Sequence, residues 1–226
     1  MATAREINEF VLGDDRLAFF KRAMQFIGFE KIEGDVLEFG VYGGRTLLMM
    51  GKLLASAPWF ARTPQLVGFD SFAGLAADSE GHGRWTAGDC ALNRDPRHPT
   101  IALDAPVTPD GVRALFTGLG LTPPRLEVGL FEDTLPAALP TLAPRAALIH
   151  IDCDLYEATV TVLDRVAPLL QPGTLIAFDD WFHYRGDPRR GEARAFREFL
   201  GAHPGWQAIP YQPYATFCNS FIMQPA

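Results

Sequence analysis

Five short apolar runs, each ending in or meeting at once a glycine or an acid, alternate with longer stretches of helical spacing along this chain. The runs are DVLEFG (35–40), QLVGFD (65–70), RLEVGLF (125–131), AALIHID (146–152) and TLIAFDD (174–180). They have strand length and are bounded by turn residues. Between them lie LLMMGKLLASA, a stretch from Pro109 through Leu119, the short DTLPAAL, Tyr156 to Leu170 and Gly191 to Ala202. Strand alternating with helix predicts parallel strands joined by helical crossovers. The last two runs, WQAIPYQ and FCNSFIM, have no helix between them and read as an antiparallel hairpin. The expected fold is therefore α/β, a doubly wound, mostly parallel seven-stranded sheet with an antiparallel edge strand.

Two segments fall outside the alternation. Residues 5–28 read as two short helices separated at Gly13-Asp14-Asp15. Their apolar residues offer a surface for a homodimer. From 75 to 110 glycines and prolines are scattered among polar residues with little periodicity, which predicts a long functional loop or lid. A length of 226 residues fits one domain spanning 1–226.

Composition narrows the function. With 48% hydrophobic and 21% charged residues the chain can bury a real core. A formal charge of −7 argues against a nucleic-acid partner, because phosphate binders cluster Lys and Arg. The start carries no apolar leader and no run approaches the ~18 to 20 apolar residues of a membrane span, so a soluble cytoplasmic protein without a membrane partner is expected. Cys90, Cys153 and Cys218 lack metal or disulfide spacing and read as reduced thiols.

The first strand ends in LEFGVYGGRT. Glycines at 40, 43 and 44 let the backbone turn tightly and approach a ligand, with the acid Glu38 beside them. The bland alternative is an ordinary strand-to-helix turn. Asp70 ends the second strand, where an acid accepts hydrogen bonds from a ribose diol, or else serves as a turn or cap residue. The glycine spacing departs from the GxGxxG of dinucleotide sites. S-adenosylmethionine, which has no phosphate and needs an acid, a turn and a ribose acceptor, fits better.

Two further strands end in carboxylates. Asp152 closes one, Asp179 and Asp180 close another, and unpaired acids converging at a cleft are costly. Hard oxygen donors in that number suit Mg²⁺. The alternative is that Asp179 and Asp180 cap the next helix or pair with Arg185, Arg189 or Arg190. Asp154 reads as an outer partner of that site or as a helix cap.

The succession LEFGVYGGRT, GFDSFAGL, GLFEDTLP, IHIDCDLYEAT, FDDW and GEARAFREFL resembles the macrocin and mycinamicin type of sugar O-methyltransferase, in order from about residue 33 to 200. That family has the class I methyltransferase fold and uses S-adenosylmethionine and a divalent metal. The resemblance implies that Glu38, Phe39, Gly40, Tyr42, Gly43, Arg45 and Thr46 surround the methionine part of the cofactor. It implies Asp70 and Ser71 at the ribose, Gly129, Phe131 and Glu132 at the adenine, and Asp152 beside the cofactor. It also implies Asp152, Asp179 and Asp180 as metal ligands, usually of magnesium. The 27-residue step from Asp152 to Asp179 is also similar to catechol-type O-methyltransferases, whose lysine base is replaced here by Cys153, Asp154 and Leu155.

Methyl transfer to a hydroxyl needs a proton acceptor. The candidates are His98, then His82, both in the 75–110 loop, then His183; each has a plain solvent-exposed or packed alternative. His150, inside a strand, reads as a core histidine. Trp85, Trp181, Phe182 and Tyr184 offer stacking faces for a substrate, or core contacts. The expected function is an S-adenosylmethionine- and Mg²⁺-dependent O-methyltransferase acting on a diol-bearing small molecule, foremost a sugar of a glycosylated natural product. The alternatives are a catechol or phenolic O-methyltransferase and, from another class, a non-catalytic nucleotide- or S-adenosylmethionine-binding module.

Overall fold

Every residue of β1 (Asp35–Phe39) and β4 (Ala146–Ile151) is buried, as strands covered by helices on both faces must be. The computed structural model describes residues 2–58, 60, 62–81 and 83–226, and these two strands pair in parallel at the middle of its sheet. β2 (Leu66–Asp70) and β3 (Arg125–Val128) continue the sheet on the β1 side, and β5 (Leu175–Phe178) on the β4 side, all parallel. The closing hairpin consists of β6 (Trp206–Pro210) and β7 (Asn219–Pro225). β7 lies antiparallel between β5 and β6, giving the order β3-β2-β1-β4-β5-β7-β6.

Strand order reverses between β1 and β4, so the carboxyl ends of these strands flank the crevice where open α/β sheets bind ligands. The period of two along each strand divides the core. Val36, Leu175 and Ala177 pack on one face with α1 (Ala4–Val11), α2 (Arg16–Phe29), α3 (Arg45–Ser56) and α4 (Pro109–Thr117). Leu37, Ile176 and Phe178 pack on the other with α5 (Phe131–Ala138), α6 (Tyr156–Val166) and α7 (Gly191–Ala202). The helix expected to reach Leu170 stops at Val166 and tightens into a 3-10 turn containing Pro168, which has no amide to continue the ladder.

The two N-terminal helices break where Gly13 takes a φ of 85°. Ile7, Phe10, Val11, Phe19, Phe20, Met24 and Ile27 are buried within the chain's own core, so the apolar surface that suggested a dimer is spent internally. Leu12 and Phe29 remain exposed. Among the described residues no helix is long and apolar enough to cross a membrane.

The 71–108 connection has, among its described residues, no helix or strand beyond one bridge between Leu92 and Pro106. Its second half is nonetheless a packed unit rather than a loose lid. Asn93 is fully buried and its amide donates to the carbonyls of Asp95, Ile101 and Ala102 at 3.1, 2.8 and 3.2 Å. Ile101 and Val107 of this unit are buried.

Candidate active site

A cleft of about 380 Å³ opens at the carboxyl ends of the central strands. One wall is Gly40, Tyr42, Asp70 and Ser71; the far wall is Gly129, Phe131 and Glu132; the floor carries Asp152, Asp154, Asp179 and Asp180. Ten of these eleven are expected from the sequence as cofactor or metal residues, with Asp154 as their outer partner or a cap, and they meet in one cavity. Gly40 is obligatory, because a Cβ there would lie 1.7 Å from the Asp152 carbonyl oxygen. Asp70 holds the turn itself: Oδ2 accepts the amides of Val41 and Tyr42 at 2.7 and 2.8 Å, and Oδ1 that of Phe72 at 2.6 Å.

The remaining turn residues stand elsewhere. Glu38 and Phe39 are fully buried and do not reach the cleft surface. Glu38 Oε1 faces His150 Nδ1 at 2.9 Å, and Phe39 stacks on Phe69 with ring centres 4.8 Å apart. Gly43, Arg45 and Thr46 line a second cavity of about 510 Å³ together with His98 and Arg97; Arg16, Tyr42 and Asp152 border both cavities.

The histidines correct the sequence reading. His98 is buried and both of its nitrogens are committed to backbone: Nε2 donates to the Gly43 carbonyl at 2.7 Å, while Nδ1 accepts the Ile101 amide at 3.1 Å and the Thr100 amide at 3.3 Å. Burial lowers its pKa. A Cβ on Gly43 would press on that ring at 2.9 Å, so loop packing requires a glycine here. His183 is buried beside Asp180, with Nδ1 3.1 Å from Oδ1, and does not line the cleft; burial and Arg84 push it down to about 4. His82 lies outside the described residues. Trp181 packs against Phe178, Phe196 and Phe221 and is a core residue.

The acids differ sharply in their surroundings. Asp179 Oδ2 accepts Arg16 Nη1 at 3.0 Å; Oδ1 accepts the Cys218 thiol at 3.3 Å and faces His150 Nε2 at 3.5 Å. Burial opposes its charge, but His150 and Arg16 prevail and hold its carboxyl below the usual range. Asp152 and Asp180 go the other way: burial and then neighbouring carboxylates push both well up. Asp154, bent into the left-handed region at φ 62°, caps no helix, since α6 begins after Leu155 without a side-chain cap. Burial and Asp152 push it up to about 7.

The residues present fit a divalent cation. Among the described residues the buried Asp180 Oδ2 has no hydrogen-bond partner, an expensive state that a divalent cation would relieve. Among the described residues two sets bring donor atoms within 4.8 Å of one another: Asp154 with Asp180 and His183, and Glu38 with His150 and Asp152. The expected trio of Asp152, Asp179 and Asp180 is not such a set, and Asp179 Oδ2 is engaged by Arg16 Nη1. Asp180, Asp154 and Asp152 nonetheless supply hard oxygens on one cleft floor.

Sequence reasoning missed three participants. Arg16 sits just after the helix break, where only the charged sequence GDDRL marked it. Glu192, 1% exposed in the first turn of α7, accepts the Asp180 amide at 2.9 Å. Cys218, whose spacing marks only a reduced thiol, donates to Asp179 Oδ1 at 3.3 Å.

A seven-stranded sheet of this order, with a glycine turn after β1 and acids after β4 and β5, is the class I methyltransferase fold. Solved structures agree: the O-methyltransferase NovP matches at a TM-score of 0.66 and 22% identity over 92% of this chain and 79% of that one. A calicheamicin methyltransferase matches at 0.67 and 25% over 92% and 78%. Within that fold the chain belongs to the macrocin-O-methyltransferase (TylF) family, which it matches over residues 6–203. It is 31% identical over 175 residues to the 8-demethyl-8-(2,3-dimethoxy-alpha-L-rhamnosyl)-tetracenomycin-C 4'-O-methyltransferase of Streptomyces olivaceus. It is 28% identical over 173 residues to the mycinamicin III 3''-O-methyltransferase of Micromonospora griseorubida. Each alignment covers 76% of this chain but only 62% and 64% of those relatives.

Proposed function

We propose that this chain is an S-adenosylmethionine-dependent O-methyltransferase that acts, with a divalent ion such as Mg²⁺, on a hydroxyl of a sugar carried by a natural product. The observation that carries the reading is the single cleft that joins Gly40, Asp70 and Phe131 to Asp152, Asp154 and Asp180. Family membership and the rhamnosyl group in the name of the Streptomyces olivaceus relative support the acceptor class.

When bound, the donor supplies an electrophilic methyl, and the ion lowers the pKa of hydroxyls that it chelates. The chain's own residues do the rest. The Asp70-braced turn and Gly129 to Glu132 hold the donor's nucleoside end in place, so that attack is in line. Asp152, Asp179 and Asp180 would hold the ion and, through it, the acceptor diol. Neither His98, bound at both nitrogens, nor His183, outside the cleft, is placed to take the hydroxyl proton. We assign that part to Asp154, a cleft-lining carboxylate beside Asp180.

Calorimetry with S-adenosylhomocysteine, followed by turnover on glycoside and catechol panels with and without Mg²⁺, tests the reading. Glycoside methylation that stops on chelation is expected. Failure to bind S-adenosylhomocysteine overturns the methyltransferase reading. Methylation of catechols alone moves the acceptor class to phenols.

A further inference from the structure

The acid cluster holds a cation of its own. Arg16, the first residue of α2, borders both cavities. Asp14 grips its guanidinium in a two-point fork, taking Nε at 3.1 Å and Nη2 at 2.9 Å. That grip leaves Nη1 aimed at the acids, 3.0 Å from Asp179 Oδ2 and 3.8 Å from Asp152 Oδ2.

The other oxygen of Asp179 is engaged by the Cys218 thiol and faces His150. Oδ2 is thus the oxygen that Asp179 has left to offer a metal, and Arg16 holds it. We propose that Arg16 is a tethered cation that competes with the divalent ion for Asp179 and Asp152, so that metal binding requires the guanidinium to give up its Asp179 contact. This inference rests on the divalent-ion part of the proposed function. A guanidinium and a divalent ion on one carboxylate oxygen repel each other, so the cation already there weakens the hold on the one that arrives. Arg16 belongs to the N-terminal helices outside the sheet, and metal occupancy is thereby coupled to where those helices hold it. The same contact orients Asp179, which makes Arg16 a positioning residue.

The test is direct Mn²⁺ binding by the full chain with S-adenosylhomocysteine present, read from the electron paramagnetic resonance of free Mn²⁺. R16Q is expected to bind Mn²⁺ about tenfold more tightly than the wild type, with cofactor-product affinity unchanged. R16K, which keeps the charge but lacks the fork that spans Asp14 and Asp179, is expected to fall between them. A merely structural role predicts no gain in metal affinity. Equal or weaker Mn²⁺ binding by R16Q than by the wild type overturns the inference alone. If R16Q does not fold, R16K decides, and an affinity equal to or weaker than the wild type overturns it. If neither the wild type nor the variants bind Mn²⁺, the inference falls together with the divalent-ion reading.

Discussion

Glu38 Oε1 and His150 Nδ1 lie 2.9 Å apart with both side chains fully shielded from solvent. The two residues are register partners on β1 and β4, and the far nitrogen of the imidazole faces Asp179 at the end of β5. One ring on β4 therefore ties together an acid of β1 and an acid at the end of β5. Burial disfavours the imidazolium, but the Asp179 and Glu38 carboxylates prevail and push its pKa up to about 10.

A stability profile follows from that shift. A histidine whose folded pKa is raised contributes fully below its unfolded value, about 6.5, and loses that contribution as pH rises through the folded value, about 10. Urea midpoints of the wild type and His150→Gln should differ most near about pH 6 and converge toward about pH 10. A gap that widens with pH contradicts a charged His150.

His98 gives a second prediction. His98→Ala removes the Nε2 bond to Gly43 and the acceptor for the Ile101 and Thr100 amides. Orphaned buried groups cost about 1–3 kcal/mol each, so the 91–108 unit should loosen and its amides exchange faster. Turnover should fall modestly, mainly through KM. A drop of about 10²–10⁴ in kcat with unchanged loop protection is the signature of a proton acceptor and would return that role to His98.

The strands were legible because their apolar period and terminal acids are local signals: Val36 and Leu37 take opposite faces as a period of two demands. The cleft was legible for the same reason, since Gly40, Asp70 and Asp152 all end such runs. What the sequence hid is long-range pairing. Arg16 meets Asp179 across 163 residues and His98 meets Gly43 across 55, and neither partner carries a local pattern that names the other. The 91–108 unit was hidden because it is held by one buried asparagine and one buried histidine rather than by a periodic apolar face.

Asp179→Asn tests the electrostatic centre of the floor. The amide keeps the shape but removes the charge that Arg16 and His150 compensate. S-adenosylhomocysteine affinity should stay within about threefold, while Mn²⁺ affinity and turnover each fall by about tenfold or more. Lost cofactor binding with residual activity indifferent to metal places Asp179 in the cofactor site instead.

Asp154→Asn separates the proton acceptor from the metal ligands. Asp154 lines the cleft, faces Asp180 and caps no helix, so its loss should not unravel α6. An asparagine cannot accept the hydroxyl proton, and general-base removal costs about 10²–10⁴ in kcat. S-adenosylhomocysteine affinity should be unchanged, and the acceptor KM should move little, because the diol is held by its neighbours as well. If Mn²⁺ affinity collapses in step with kcat, Asp154 acts as a ligand, in line with its closeness to Asp180 and His183. If Mn²⁺ still binds and kcat alone falls, Asp154 takes the proton. Retention of full kcat removes Asp154 from the mechanism and sends the search to Asp152, which borders both cavities.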